Sequence, residues 1–445
     1  MSKKPNILWI MTDQQSFNML SCAGNKYVHT PNLDKLAEQA VRFQNTYCTN
    51  PVCLPSRFSL FTGLYPADVG IRSNDCHNES KGIPKIVRDN GIGNLFKEQG
   101  YKTVYGGKEH LPFMSARDLG FEYLCEDERS ILSETFAGYI REYDWEKPLF
   151  MVASFINPHD ICLMAIRDFE NIDMEKQSLY WRQAFEEAED AQKIPKGMSE
   201  EEFFHTICPP LPENYEPSPD EPEAIDILQT DRIFKKRARE NYSDRRWRIH
   251  RWAYAVLTNR VDAQIGKVLD ALKESGKWDD TLIVFTSDHG DMDASHKMEH
   301  KEVLYQEACH VPLIIKGPGQ KSGWVNEQIV SNGLDIIRTV MDYGEIAAPD
   351  YMRGKSLRDA VDHGSVDKIH DIIVIECENG IGAVSDRYKY VLYDKGSQRE
   401  QFYDLAVNPG EMYNQIGEGC YAQTVEMFRK AINDHTHGRT ELFIG

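Results

Sequence analysis

Along the chain, short runs in which every position is apolar alternate with longer segments whose apolar residues recur every three or four positions. The first pattern predicts strands buried on both faces, and the second predicts amphipathic helices. Strands are expected at 6–12 (NILWIMT), 102–106 (KTVYG), 149–155 (LFMVASF), 281–287 (TLIVFTS) and 312–316 (PLIIK). Helices are expected at 32–43 (NLDKLAEQAVRF) and 260–276 (RVDAQIGKVLDALKESG). Together these predict an α/β fold built on a mixed, mostly parallel sheet flanked by helices.

Two departures from this rhythm divide the chain. Residues 165–230 are acidic and proline-rich, as in CPPLPENYEPSPDEPEAID, and lack strong periodicity. They read as an insertion on the surface of a catalytic domain spanning 1–350. Beyond residue 350, DIIVIECENGIGAVSDRYKYVLYD reads as three short strands with turns at ENG and SDR. A smaller C-terminal antiparallel-sheet subdomain over 351–445 is therefore expected.

Composition narrows the function. The apolar runs of this 445-residue chain fall well short of the roughly 20 residues that span a membrane. MSKK leads directly into a strand-like run without a secretory signal, so a soluble, cytoplasmic protein is expected, or a periplasmic or secreted one if a leader was removed. Ten cysteines include no CxxC, and a chain of this size needs no disulfide staples. A net charge of −19 argues against a nucleic-acid partner. One stretch runs against it: residues 231–252 hold nine Lys or Arg and three acids. It reads either as a solvated helix face balancing the acidic EEAED and SEEE stretches, or as a rim that guides an anionic substrate.

In open α/β sheets, ligands bind beyond the carboxyl ends of the strands. That rule selects TDQQ (Asp13, Gln14) after strand 6–12 and SDHGD (Asp288, His289) after strand 281–287. Either alone reads as a helix cap, but together they could share one divalent cation. Cys53 stands apart, in a turn of Asn and Pro ahead of a helix-like segment, NPVCLPSRFSLFTG.

The run C-L-P-S-R followed by T-G (Cys53, Pro55, Ser56, Arg57, Thr62, Gly63) resembles the signature of the sulfatases, formylglycine-dependent members of the alkaline-phosphatase-like superfamily. The resemblance continues in order along the chain through PNILWIMTDQ, GYKTVYGGKEHL, FINPHD, SDHGD, SHKMEHKEVLYQEACHVPLI and FYDLAVNPGEMYN. It implies an alkaline-phosphatase-like fold and the hydrolysis of a sulfate monoester to an alcohol and inorganic sulfate. It also implies a nucleophile made when a formylglycine-generating maturation enzyme oxidises Cys53 to an aldehyde. The hydrated aldehyde is a geminal diol, whose second hydroxyl can lose a proton and expel sulfate, giving the covalent route an exit.

The resemblance further assigns Arg57 to the diol oxygens, and Lys108 and Lys301 to the sulfate. His110 becomes the candidate base; His159 and His296 become the candidate acids for the leaving oxygen, with Lys301 an alternative. Asp13, Gln14, Asp288, His289 and the modified Cys53 would hold one cation, most simply Ca²⁺. Gln14 and His289 stand where many members have Asp and Asn, which admits Mn²⁺ or Zn²⁺. The pairing is equally similar to the branch of phosphonate monoester hydrolases and choline sulfatases, so a phosphonate monoester or phosphodiester is the alternative substrate. A non-catalytic anion-binding relative is a third reading, opposed by the intact set of candidate residues. For the leaving alcohol, Asn74, His77, Arg248 and Arg251 are the candidate contacts. A basic patch lining the cleft would imply a saccharide with further anionic groups; a patch elsewhere would imply a small neutral alcohol.

Overall fold

A computed structural model describes residues 4–75, 82–364 and 367–437. Eight strands form one sheet: β1 (Asn6–Asp13), β2 (Val41–Tyr47), β3 (Lys102–Gly107), β4 (Glu122–Cys125), β5 (Leu149–Pro158), β6 (Thr281–Ser287), β7 (Leu313–Lys316) and β8 (Trp324–Ser331). Their order is β4-β3-β5-β1-β6-β7-β2-β8. The first five are mutually parallel, β7 runs antiparallel to both neighbours, and β2 pairs parallel with β8. The expected mixed, mostly parallel sheet is thus present.

Strand β1 shows why these runs are apolar throughout. Ile7, Trp9 and Met11 enter the core on one face, while Leu8 and Ile10 enter the core on the other. A strand with helices on both sides has no polar face to show. Seven of the fifteen α-helices in the described residues frame the sheets and the insertion: α1 (Pro31–Ala37), α2 (Cys53–Thr62), α3 (Leu179–Ala191), α4 (Ile233–Asn241), α5 (Asp244–Glu274), α6 (Asn332–Tyr343) and α7 (Ala422–His437). Helix α5 covers one face through Val261, Ile265, Val268, Leu269 and Leu272, whose three- and four-residue spacing keeps them on one side. Helices α2 and α6 supply Phe58, Phe61, Ile336 and Ile337 to the other face.

Three expectations need correction. The helix expected over 32–43 ends at Ala37, because Val41 and Phe43 alternate with half-buried Arg42 and Gln44 and pair as β2 between β7 and β8. Sheet pairing at long range outweighs local helix propensity there. The expected 260–276 helix starts far earlier, at Asp244, where the Ser243 side chain accepts the Arg246 N–H as a cap. The acidic 165–230 segment is largely helical; α3 buries Ala184, Phe185, Ala188 and Ala191 on one stripe.

A separate four-stranded antiparallel sheet follows, of β9 (Ile373–Cys377), β10 (Gly380–Val384), β11 (Tyr388–Tyr393) and β12 (Glu400–Asp404), in the order β12-β11-β10-β9. It holds the three expected strands plus β12. Helix α7 closes it with Val425, Phe428 and Ile432 against Tyr390 and Phe402. The Glu376 N–H donates to the Thr49 carbonyl at 2.8 Å, tying β9 to the loop before α2. Among the described residues, no helix is long and apolar enough to cross a membrane.

Candidate active site

Four adjacent parallel strands, β3, β5, β1 and β6, end at one edge of the large sheet. Their last residues deliver Lys108, His159, Asp13 and Asp288 respectively, each at or just beyond its strand's carboxyl end. Parallel neighbours share a direction, so residues separated by up to 275 positions in sequence become neighbours in space. Two glycines permit this. Gly107 takes φ +89°, and a Cβ there would lie 2.0 Å from the Ser154 carbonyl oxygen; at Gly290, a Cβ would lie 1.9 Å from the Glu307 carbonyl oxygen.

Cys53 is the first residue of α2, so its side chain sits at a helix N-terminus, where unpaired N–H groups and the dipole favour an anion. Its Sγ lies 3.1 Å from His289 Nε2, 3.2 Å from Lys301 Nζ and 3.7 Å from Asp13 Oδ1. Lys108 Nζ is 2.6 Å from Asp13 Oδ2, and Lys301 Nζ donates to Gln14 Oε1 at 2.6 Å. Nδ1–H of His289 donates to the Gly290 carbonyl at 2.9 Å, which directs Nε2 at Cys53. Asn74 Oδ1 accepts the Leu54 N–H at 3.2 Å, so this exposed residue stands beside the start of α2.

Arg57 departs from its expected place. Its Nε donates to Asp288 Oδ2 (2.8 Å) and its NH2 group to Asp13 Oδ2 (3.0 Å). Its NH1 group donates to the Lys108 carbonyl (3.0 Å) and Ser154 Oγ (2.8 Å), and the residue is fully buried. With its fork occupied by two carboxylates and a strand end, Arg57 orients the two acids.

The electrostatics are those of an anion site. Burial and Asp13's own neighbour Cys53 push the Asp13 carboxyl up, but Lys108, His159 and Arg57 outweigh them and hold it well below the usual range. Burial also pushes the Cys53 thiol up, yet Lys108 and Lys301, with a hydrogen bond from His110, hold it far below an ordinary cysteine. Burial opposes charge on His159, whereas Cys162 and Asp13 favour it, and the net direction is upward. Asp288 is pushed up by burial and by the facing Asp13.

The donor set fits a cation. Ligand atoms of Asp13, Cys53, Asp288 and His289 all lie within 4.8 Å of one another, every one buried. Asp13 pushes the buried Asp288 carboxyl up, a repulsion a divalent ion would relieve, and Gln14 offers a neutral oxygen, Oε1, beside Lys301.

Other expected residues lie elsewhere. His296 is buried and stacked on Tyr305 at 4.1 Å, and its backbone N–H donates to the Asn214 carbonyl. Arg248 donates to the carbonyls of Phe204, Cys208 and Pro209, and Arg251 to Asp293 Oδ2 (3.0 Å) and the Pro210 carbonyl. Both arginines are bonded to the chain of the insertion, at Phe204, Cys208, Pro209 and Pro210. His77 falls outside the described residues.

Sequence reasoning overlooked several residues. Asp291 ends the quoted SDHGD run and accepts from Gln14 Nε2 at 2.6 Å, so the signal was present in that motif. Asp160, next to His159, is fully buried and gripped by Arg129 through Nε (2.8 Å) and NH2 (2.7 Å). His300 is half-buried next to Lys301 and feels the charges of His159 and Cys53. Lys235 is the one member of the basic stretch buried near this wall, where it pairs with Glu302.

Comparison with known proteins agrees with the geometry. The sulfatase family profile matches residues 5–346, and a profile described as N-sulphoglucosamine sulphohydrolase, C-terminal, matches 294–438. An arylsulfatase of Clostridium perfringens is 27% identical, over 98% of this chain and 95% of that protein. A Delta 4,5-hexuronate-2-O-sulfatase of Bacteroides thetaiotaomicron is 27% identical, over 97% of this chain and 89% of that protein. A solved 2-O GAG sulfatase superposes with a TM-score of 0.79 at 25% identity, covering 98% of this chain and 93% of that one. Cysteine at the head of α2, a basic clamp and an acidic cation site, all under a profile spanning most of the sequence, place the chain in the sulfatase family of sulfuric ester hydrolases.

Proposed function

We propose that the protein hydrolyses a sulfate monoester by way of a formylglycine made from Cys53, and that the alcohol released carries little negative charge of its own. The observation that carries this reading is the convergence on Cys53 Sγ of Lys301 and His289, within 3.2 Å, at the start of α2. The intact C-x-P-S-R run supports conversion by a maturation enzyme. As its hydrate, the aldehyde supplies one hydroxyl to attack sulfur and a second whose deprotonation releases sulfate. Asp13, Gln14, Asp288 and His289 would hold the cation, with Ca²⁺ favoured by the oxygen donors; it would polarise the nucleophile and the sulfate oxygens.

The chain's own residues take the remaining roles. Lys108 and Lys301 bind the sulfate oxygens, on which negative charge persists through the transition state. Lys301 has Gln14 and Cys53 as partners and an ammonium has three donors, so one N–H remains for the ligand. His110, which bonds to Cys53, takes the diol proton. His159, held towards its protonated form, gives a proton to the leaving oxygen, while Asp160 and Arg129 behind it fix its place. His296 is left out of the acid role by its stacking on Tyr305. Relatives named for hexuronate and GAG sulfates support a saccharide ester. The occupied arginines of the 231–252 stretch speak against a polyanionic one. The same reading divides the chain near residue 350, between the last strand of the large sheet and the first of the small one.

The test pairs two measurements on protein from a host that performs the conversion. The peptide carrying Cys53 should show an aldehyde oxygen in place of the thiol by mass. A neutral saccharide sulfate should be turned over at least about 100-fold faster, in kcat/KM, than a phosphodiester or phosphonate monoester. An unmodified thiol overturns the nucleophile, and the reverse preference makes the phosphonate reading the correct one.

A further inference from the structure

Gln14 stands where many sulfatases carry an aspartate, and its surroundings fix which way its amide points. Its backbone takes φ +67°. Its N–H donates to Asp288 Oδ1 at 3.1 Å, and its carbonyl accepts from the Tyr254 hydroxyl at 2.5 Å. The side chain is fully buried. One end of an amide only donates and the other only accepts. Asp291 Oδ2, also fully buried, already accepts the His300 N–H and lies 2.6 Å from Gln14 Nε2, whose N–H it also accepts. Lys301 Nζ can only donate, and it lies 2.6 Å from Gln14 Oε1. The two constraints agree on one orientation.

Asp291 is itself immobilised. Its N–H donates to Ser16 Oγ (2.9 Å), its Oδ1 accepts the Asp293 N–H (2.7 Å), and its Oδ2 also accepts the His300 N–H (3.1 Å). Together these contacts fix Asp291 where it faces Gln14.

We propose that Asp291 is a positioning residue that locks the Gln14 amide with Oε1 toward Lys301 and the cation, and that it is the reason position 14 takes glutamine. An aspartate at 14 would turn a second carboxylate towards Asp291 with no hydrogen between them. The charge gained for the cation would be offset by an unpaired acid in a buried site. For turnover this rests on the sulfatase reading, but for cation affinity and folding it does not.

The experiment is a double-mutant cycle on the full chain with Gln14→Asp, Asp291→Asn and the pair combined. Ca²⁺ and Mn²⁺ affinities are measured by calorimetry, and urea midpoints are measured without metal. Each single variant should bind the cation at least about tenfold more weakly, the usual effect of removing a partner behind a metal ligand. The combined variant, whose asparagine can donate to the new carboxylate, should recover most of that affinity and a higher urea midpoint than Gln14→Asp alone. Tighter cation binding by Gln14→Asp, or strictly additive effects in both measurements, overturns the proposal. Wild-type protein that binds neither cation overturns its cation half. If coupling appears while the wild type leaves sulfate esters untouched, the sulfatase reading fails and the positioning role stands. If sulfate is released but no coupling appears, only the positioning role fails.

Discussion

The Cys53 site and the stretch 231–252 both gather charge, yet the fold treats them in opposite ways. Around Cys53, the two carboxylates of Asp13 and Asp288 meet three cations, Arg57, Lys108 and Lys301, all of them buried. Lys301 keeps one N–H beyond its bonds to Gln14 and Cys53, so an anion can complete the set. In the 231–252 stretch each arginine already has its acceptor: Arg246 with Asp168, Arg251 with Asp293, Arg239 with Glu221, and Arg248 with three backbone carbonyls. These four arginines are therefore tied to the insertion and its neighbours, whereas three cations from distant parts of the chain meet around Cys53 and Asp13. Charge density in sequence says little; what matters is which charges the fold leaves unsatisfied.

The largest effect should follow from disturbing the buried side of this contrast. Arg57→Met leaves Asp13 and Asp288 facing each other without their shared cation. Breaking such a buried pair costs about 3–5 kcal/mol. Urea denaturation of the metal-free variant should show that loss; a midpoint shift equivalent to less than about 1 kcal/mol would mean that Arg57 is not what reconciles the two acids.

A smaller effect comes from His250, a histidine inside the basic stretch. It is fully buried, and burial, reinforced by Arg246 and Arg251, pushes its imidazole down to about 3. The packed groups around it are those two arginines and Asp293, whose Oδ1 is 4.0 Å from His250 Nδ1. The folded state therefore favours the neutral ring, and the unfolded chain, titrating near 6.5, binds the proton first. This contribution to stability is complete above pH 6.5 and is lost as pH falls towards 3. Between pH 6.5 and 5 the loss is about 2 kcal/mol. His250→Phe should flatten the stability profile over that interval, and an unchanged slope would remove His250 as its source.

The least effect belongs to the outer arginines. Arg248→Met gives up hydrogen bonds to three carbonyls and should cost roughly 1.5 kcal/mol without changing kcat/KM. Arg245→Ala, at an exposed pair with Glu200, should stay within about 0.5 kcal/mol. A KM that rises in Arg248→Met would return this stretch to the substrate rim and sharpen the choice of leaving alcohol towards anionic ones.

Much of the fold was legible because buried strands write themselves as continuous apolar runs. Strands β1, β3, β5, β6 and β7 lie where the sequence places them, give or take the residues at their ends. Strand β2 was not legible: AVRF continues a helical spacing, and only pairing with β7 and β8 makes it a strand. Strands β4 and β12 were missed too, since four or five residues with mixed polarity carry little periodic signal. The same division holds in the site. Cys53, Asp13, Asp288, Lys108 and Lys301 could be named from ordered motifs, because each motif is local in sequence.

What those motifs could not express is direction. His296 satisfies its motif and stacks on Tyr305; Arg57 satisfies its own and turns to the carboxylates; Asp291 was passed over and grips Gln14. The sequence by itself determined most central strands of the sheet, the signature around Cys53 and the residue types that accompany it, since hydrophobic period and motif spacing are properties of neighbouring positions. Only the tertiary structure decided which charges meet, because four parallel strands end at one edge and bring together side chains that the chain keeps tens to hundreds of residues apart.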